Sequence, residues 1–223
     1  RSSVPLLPPP VDDDADEQKV KDQVIEYYHE TLLKTPFAKE WLENRCIYDA
    51  ETVKKFKLGF ADKSIGPRLP QKNRMAGAKI RKMMINTGLF RSNGHEHLTG
   101  RIIIPIMDNS GNVISAYGRR TGKKPNKNAI DHLYLPGSHQ TVWNPQCFEN
   151  DAVILCESLI DALSFYVHGF QNVTASYGVS GFTKHHLKMM KDNNIQRIYI
   201  AYDRDEAGNR AANKLSEVFI EQN

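Results

Sequence analysis

Ala152-Val-Ile-Leu-Cys-Glu157 and Ile198-Tyr-Ile-Ala-Tyr-Asp203-Arg-Asp205-Glu-Ala-Gly208 are short apolar, β-branched or aromatic runs that stop abruptly at carboxylates. A buried parallel strand reads this way when its carboxyl end reaches a polar site, so each run predicts a strand with acid at its tip. Between them, Ser158 to His168 carries Leu159, Ile160, Leu163 and Val167 as a helical stripe closed by Gly169, a residue free to take the left-handed cap conformation. Asn172 to Ser176 reads as a second strand. Thr183 to Lys191 reads as a second helix, with Thr183 as N-cap and Leu187 and Met190 on one face. After Gly208, a third helix turns Ala211, Leu215, Val218 and Phe219 inward. The order βαβαβα predicts right-handed crossovers and an α/β unit with a mainly parallel sheet. Ligands gather beyond the carboxyl ends of such strands, where Glu157, Asp203 and Asp205 converge by topology.

Carboxylates held together at neutral pH repel one another unless a cation sits between them. Hard oxygen ligands with no nearby His or Cys favour Mg²⁺ over zinc, with Mn²⁺ as the alternative ion. Asp161 lies one helical turn after Glu157 and is expected at the same end, as a metal ligand through water or as an orienting group. Sites of this kind serve phosphoryl and nucleotidyl transfer, where the ion polarises the phosphate and neutralises the leaving pyrophosphate.

Glu157-x-x-x-Asp161 after one strand and Asp203-x-Asp205-x-Ala-Gly208 after another resemble the Toprim domain shared by primases, topoisomerases and some nucleases. The run from Tyr202 to Ala212 is similar to that of bacterial DnaG-type primases and phage primase-helicases. The resemblance implies metal-binding, catalytic roles for Glu157, Asp203 and Asp205. Ser158 stands where that family usually has Gly after the glutamate, a loss of backbone freedom offset by the ability of Ser to cap a helix. The family also carries a third acidic pair a few dozen residues further on, whereas this chain ends at Asn223 and opens at Arg1 without Met, which reads as a piece of a longer protein.

With 223 residues, 40% of them apolar, the chain can bury a proper core. A net charge of only +4 means that affinity for nucleic acid must come from a local patch. Cys46, Cys147 and Cys156 form no zinc or disulfide spacing and fit a reducing cytoplasm. No apolar run approaches the roughly 20 residues of a membrane span, and no signal pattern opens the chain.

Residues 1–18 mix four prolines with a run of acids and read as a flexible acidic arm. Residues 19–150 read as an α+β N-terminal subdomain, and residues 151–223 as the Toprim unit. Glu17 to Lys34, Phe37 to Asn44, Ala50 to Phe56 behind the cap Asp49, and Ala76 to Asn86 before Gly88 are predicted helices. His95-Glu96-His97 follows Asn93-Gly94 and reads as a solvated loop, not a zinc grip. Arg101 to Met107, a turn at Asp108 to Gly111, and Asn112 to Tyr117 predict an antiparallel hairpin. A mobile basic loop follows, holding Arg119, Arg120, Lys123, Lys124 and Lys127, and Leu133 to Trp143 is expected to lead by a loop into the Toprim sheet.

The segment from Thr99 to Arg119 resembles the part of DnaG-type primases that precedes the Toprim domain. That resemblance implies that Arg119 lines a groove for template and nucleotides; by composition, Arg101, Arg120, Lys123, Lys124 and Lys127 are further candidate contacts for nucleic acid or nucleotide, against the plainer reading of a solvated charge run. Leu133 replaces the family's lysine in the run His132-Leu-Tyr134-Leu-Pro136, with Lys127 or His132 as substitutes. The glycine-bearing turn at Gly178 offers backbone N–H groups to a phosphate or simply connects two elements. His185 and His186 read as surface residues. The resulting expectation is a primase RNA-polymerase core: Mg²⁺ on the three acids, ribonucleoside triphosphates joined on a single-stranded DNA template, and a replicative helicase and a zinc-binding domain as partners beyond this segment. The alternatives are a Toprim nuclease and a non-catalytic nucleic-acid-binding domain.

Overall fold

The computed structural model describes residues 8–124, 126–137 and 141–221. The N-terminal part contains α1 (Glu17–Lys34), α2 (Pro36–Glu43), α3 (Ala50–Lys55), β1 (Gly59–Ala61), α4 (Ile65–Arg68), α5 (Met75–Asn86), β2 (Arg101–Met107), β3 (Val113–Arg120) and β4 (His132–Tyr134). A 3₁₀ turn, Pro145–Glu149, leads to β5 (Ala152–Cys156), α6 (Leu159–Val167), β6 (Val173–Ala175), α7 (Lys184–Asp192), β7 (Arg197–Ala201) and α8 (Glu206–Glu221). The first four strands form an antiparallel sheet in chain order, and the last three form a parallel sheet in the order β6-β5-β7. An α+β part followed by an α/β part is thus the architecture expected from the sequence.

Local chemistry sets the helix and turn boundaries. Asp16 and Asp49 accept from Lys19 N–H and Thr52 N–H at 2.8 Å, satisfying the open first turns of α1 and α3. Asp108 accepts from the N–H groups of Ser110 and Asn112, both at 2.9 Å, and Gly111 takes φ +84°, which closes the β2–β3 hairpin. Gly59 must lack a side chain, because a Cβ there would lie 2.8 Å from Tyr28 Cβ where α1 crosses β1.

One core joins the two sheets. Ile102, Ile104 and Tyr117 of the antiparallel sheet share a buried cluster with Ile154, Cys156, Leu159 and Val173 of the parallel part. Trp143 is a hub of this cluster, fully buried with its ring 4.4 Å from that of Phe56 and 6.4 Å from that of Tyr166.

Several expectations are corrected by tertiary contacts. The arm expected to be flexible is anchored from Val11: Val11 and Ala15 are buried in one cluster with residues of α1 and α5, and Asp12 pairs with Lys19 at 2.8 Å. Its first seven residues lie outside the described ones, as do Pro125 of the basic segment, 138–140 and the last two residues. The basic segment does not begin as a loop, because β3 runs on through Arg119 and Arg120. His132–Tyr134, expected in a connection, forms β4 on the edge of β3. Glu96 and His186, read as solvated or surface residues, are buried.

Candidate active site

Glu157 directly follows β5, and Asp203 and Asp205 directly follow β7. The two strands are neighbours with Cys156 opposite Ala201, so the acids emerge side by side at one rim. Burial pushes the Glu157 carboxyl up from its ordinary range, and the charges of Asp203, Asp205 and Asp161 push in the same direction. A hydrogen bond from the Asp203 backbone N–H opposes them. The three acids therefore leave neighbouring strands at one rim, where the charges of Asp203 and Asp205 act on Glu157.

The donor set fits a hard divalent cation. Glu157 Oε2 is buried with no hydrogen-bond partner, an arrangement that is costly unless a cation or a proton occupies it. Asp203 is exposed, while Asp205 Oδ1 accepts from Gly208 N–H at 2.7 Å, capping α8. Among the described residues, no three His, Cys, Asp or Glu side chains already close around a single point.

Asp161 lies in the first turn of α6, at the end where Glu157 stands, and its side chain is engaged in a cap. Its Oδ2 accepts from Ser158 Oγ at 2.6 Å and from Ser158 N–H at 3.3 Å, while Ser158 Oγ accepts in return from Asp161 N–H, forming a reciprocal cap on α6. Asp161 contributes charge to the rim from this cap. Gly178 is redirected. Its N–H donates to the Glu157 carbonyl at 2.8 Å, so it latches the Glu157 segment in place and is not open to a phosphate. The preceding Tyr177 holds φ +66°, a conformation costly for a residue with a bulky side chain. Its hydroxyl donates to Thr141 O at 2.9 Å, and its ring packs between Tyr134 and His186. Sequence reading missed this bridge between the two sheets, because nothing local marks a tyrosine for left-handed geometry.

The basic residues divide by what their nitrogens already do. Arg101 is only 4% exposed and donates through both terminal nitrogens to the carbonyls of Thr99 and Ile130 at 2.8 Å, so it braces the sheet end from inside. Burial lowers its pKa. Arg120 donates to Ile130 O and lies 3.7 Å from Asp131, which Lys124 also pairs with at 2.9 Å. Lys123 and Lys127 are exposed to solvent. Arg119 pairs in register with His132 and donates to its Nε2, while His132 Nδ1 lies 2.7 Å from Tyr117 Oη. The Asp161 charge acts on His132, Tyr117 and Tyr134, so this end of β3 and β4 lies within electrostatic reach of the start of α6.

Comparison with known proteins agrees with this geometry. Residues 27–138 match the family described as DNA primase catalytic core, N-terminal domain, and residues 154–223 match the Toprim-like family. The DNA primase of Lactococcus lactis is 26% identical over 91% of this chain and 33% of its own length. That of Aquifex aeolicus is 28% identical over 85% of this chain and 39% of its own. The chain thus spans well under half the length of these curated relatives. Among solved structures, the zinc-binding and RNA polymerase domains of the Aquifex aeolicus primase superpose with a TM-score of 0.70 at 25% identity, over 92% of this chain and 52% of that one. A DnaG primase catalytic domain bound to single-stranded DNA shares the fold, with a TM-score of 0.70 at 23% identity over 89% of this chain and 66% of that one. Two acid-tipped parallel strands behind an antiparallel basic sheet, matched by models covering both parts, make this chain a member of the DNA primase catalytic core family.

Proposed function

We propose that this chain is the RNA-polymerase core of a DNA primase, a nucleotidyltransferase that joins ribonucleoside triphosphates into short primers on single-stranded DNA during replication. The observation that carries the proposal is the meeting of acids at one rim: Glu157, with a buried unpartnered oxygen, feels the charges of Asp203, Asp205 and Asp161, and Asp161 also acts on His132 beside Arg119. Glu157, Asp203 and Asp205 would hold Mg²⁺ or Mn²⁺, which supplies charge neutralisation at the reacting phosphate. The protein's own contribution is positional. The latch from Gly178 and the donor from the Asp203 backbone set the Glu157 segment, and Asp205 fixes the start of α8 relative to the rim.

Arg119 offers a planar guanidinium to phosphate oxygens of template or nucleotide, with Arg120, Lys123, Lys124 and Lys127 extending the positive field from the same sheet edge. Preorganised donors facing a metal site can stabilise the charge that develops during transfer. Single-stranded DNA in the matched DnaG complex supports template binding here, and the zinc-binding domain in the matched Aquifex aeolicus structure supports such a domain as a partner of the full protein; a replicative helicase is the further partner this reading expects. Among the described residues, no helix is long and apolar enough to cross a membrane, and a replicative role belongs in the cytoplasm.

The test is to incubate the protein with a single-stranded DNA, Mg²⁺ and labelled ribonucleoside triphosphates. Primer synthesis by the wild type, lost in Asp203→Asn with an unchanged circular dichroism spectrum, is the expected result. Strand degradation would replace the proposal with a nuclease, and binding without either reaction would replace it with a template-binding domain.

A further inference from the structure

His132 has no role in the proposal above, yet it is the centre of a constructed cluster. β4 places it opposite Arg119 in the sheet register, with Nδ1 2.7 Å from Tyr117 Oη and Nε2 facing the Arg119 guanidinium. Arginine can only donate, so a hydrogen bond from Arg119 assigns Nε2 as acceptor and the ring's single proton to Nδ1, directed at Tyr117. The cluster therefore stores a neutral imidazole directly beside a cation. Burial and the adjacent Arg119 both disfavour the imidazolium. Around the ring, Tyr117 and Arg119 come from β3, Asp131 directly precedes it, Lys124 reaches in from the basic loop, and Asp161 acts from the start of α6. Of these charged neighbours, Arg119 and Lys124 oppose protonation, while Asp131 and Asp161 favour it.

A phosphate arriving at Arg119 reverses that balance. It competes for the guanidinium that currently donates to Nε2, and it adds negative charge next to an imidazole whose Nδ1–H stays anchored on Tyr117. Nε2 is then a free lone pair facing an anion, the setting in which histidine gains a proton near neutral pH.

We propose that His132 is a second ligand for the phosphate that docks at Arg119, and that it takes up one proton from solvent as the phosphate arrives. The new N–H bond forms at Nε2, the proton comes from the buffer acid, and the resulting imidazolium donates to a phosphate oxygen. The ligand is a phosphate oxygen of either the template backbone or a nucleoside triphosphate. The inference rests on the reading of Arg119 as a phosphate contact.

The experiment is isothermal titration calorimetry of the intact chain at pH 7 in two buffers of different ionisation enthalpy. One arm uses oligo(dT), whose phosphodiesters do not titrate near neutrality, and the other uses ATP in excess Mg²⁺, which keeps the γ-phosphate fully ionised. Net proton uptake in one arm, abolished by His132→Gln, is the expected result and identifies which phosphate sits there. The affinity of His132→Gln in that arm should fall roughly two- to fivefold at pH 6.5, the scale of one exposed charge pair, and match the wild type at pH 8.5. Binding without proton uptake in either arm overturns the inference and leaves the role of Arg119 standing, as does uptake unchanged in His132→Gln. Binding indifferent to Arg119→Ala, or none in either arm, overturns both. Absence of uptake in the wild type overturns the inference without the variant, and His132→Asn replaces His132→Gln if the latter does not fold.

Discussion

Replacing Gly208 with alanine tests whether the acidic rim depends on the close approach of α8 to its own preceding strand. A Cβ at this position would lie 2.1 Å from the Asp203 carbonyl oxygen and 3.0 Å from the Asp203 carbonyl carbon. Relief to an ordinary contact requires about 1 Å of movement, and the yielding atoms are backbone, so Asp203 must shift as a unit. Ala is intrinsically favoured in a helix by about 1 kcal/mol over Gly, while overpacking costs about 1–3 kcal/mol. The net loss of stability should therefore be small, about 0–2 kcal/mol, or a few degrees in Tm for a chain of this size. The effect on chemistry should be larger, since a 1 Å misplacement at a reacting centre can cost about 100-fold. Primer synthesis on single-stranded DNA, measured beside thermal unfolding, should show a fall of that order with folding retained. Gly66→Ala is the control: its added Cβ would meet nothing within 4 Å, so both readouts should stay near wild type. Full activity in Gly208→Ala would refute the reasoning and show that the Asp203 backbone is not held where the metal-binding reading needs it.

Ser158→Ala removes the hydroxyl half of the reciprocal cap, leaving the backbone N–H bond to Asp161, and should cost about 1 kcal/mol in chemical denaturation, while Ser158→Gly should cost only a few tenths; equal losses would deny the cap its role. Trp143→Ala should destabilise by about 3–5 kcal/mol, because the ring is fully buried at the joint between the two sheets, and a smaller change in denaturation midpoint would mean the joint is loosely packed. Glu96 carries a carboxyl that burial pushes up to about 7 from 4.5. Its folded form binds the proton more tightly than its unfolded form, so this contribution is complete below pH 4.5 and is lost as pH rises toward 7. The full window is worth about 3 kcal/mol at 1.36 kcal/mol per pH unit. The slope of stability against pH between 5 and 7 should flatten in Glu96→Gln, and an unchanged slope would assign the dependence to other groups.

The elements legible in the sequence are those whose cause is local. β5 and β7 announce themselves as apolar runs ending in acid, α6 and α3 through a capping residue at the right distance, and the β2–β3 hairpin through Asp108 and Gly111. The elements that stayed hidden are made by partners. β1 and β4 are three residues each, too short for any period, and exist because Gly59 pairs with Ile103 and His132 with Arg119. The acidic composition of the arm concealed Val11 and Ala15, two small apolar side chains that find a place in the core.

The candidate site divides along the same line. Residue types and their position after two strands were enough to bring Glu157, Asp203 and Asp205 to one rim, because parallel topology carries strand ends to the same edge whatever the details of packing. Which polar groups remain available was decided only in three dimensions. Asp161 is spent on Ser158, Gly178 N–H on the Glu157 carbonyl, and Arg101 on two backbone carbonyls, whereas Glu157 Oε2 has no partner. A hydrogen bond needs its partner within about 3 Å and in line, and that condition depends on chain segments far apart in sequence, which no reading of neighbouring residues contains.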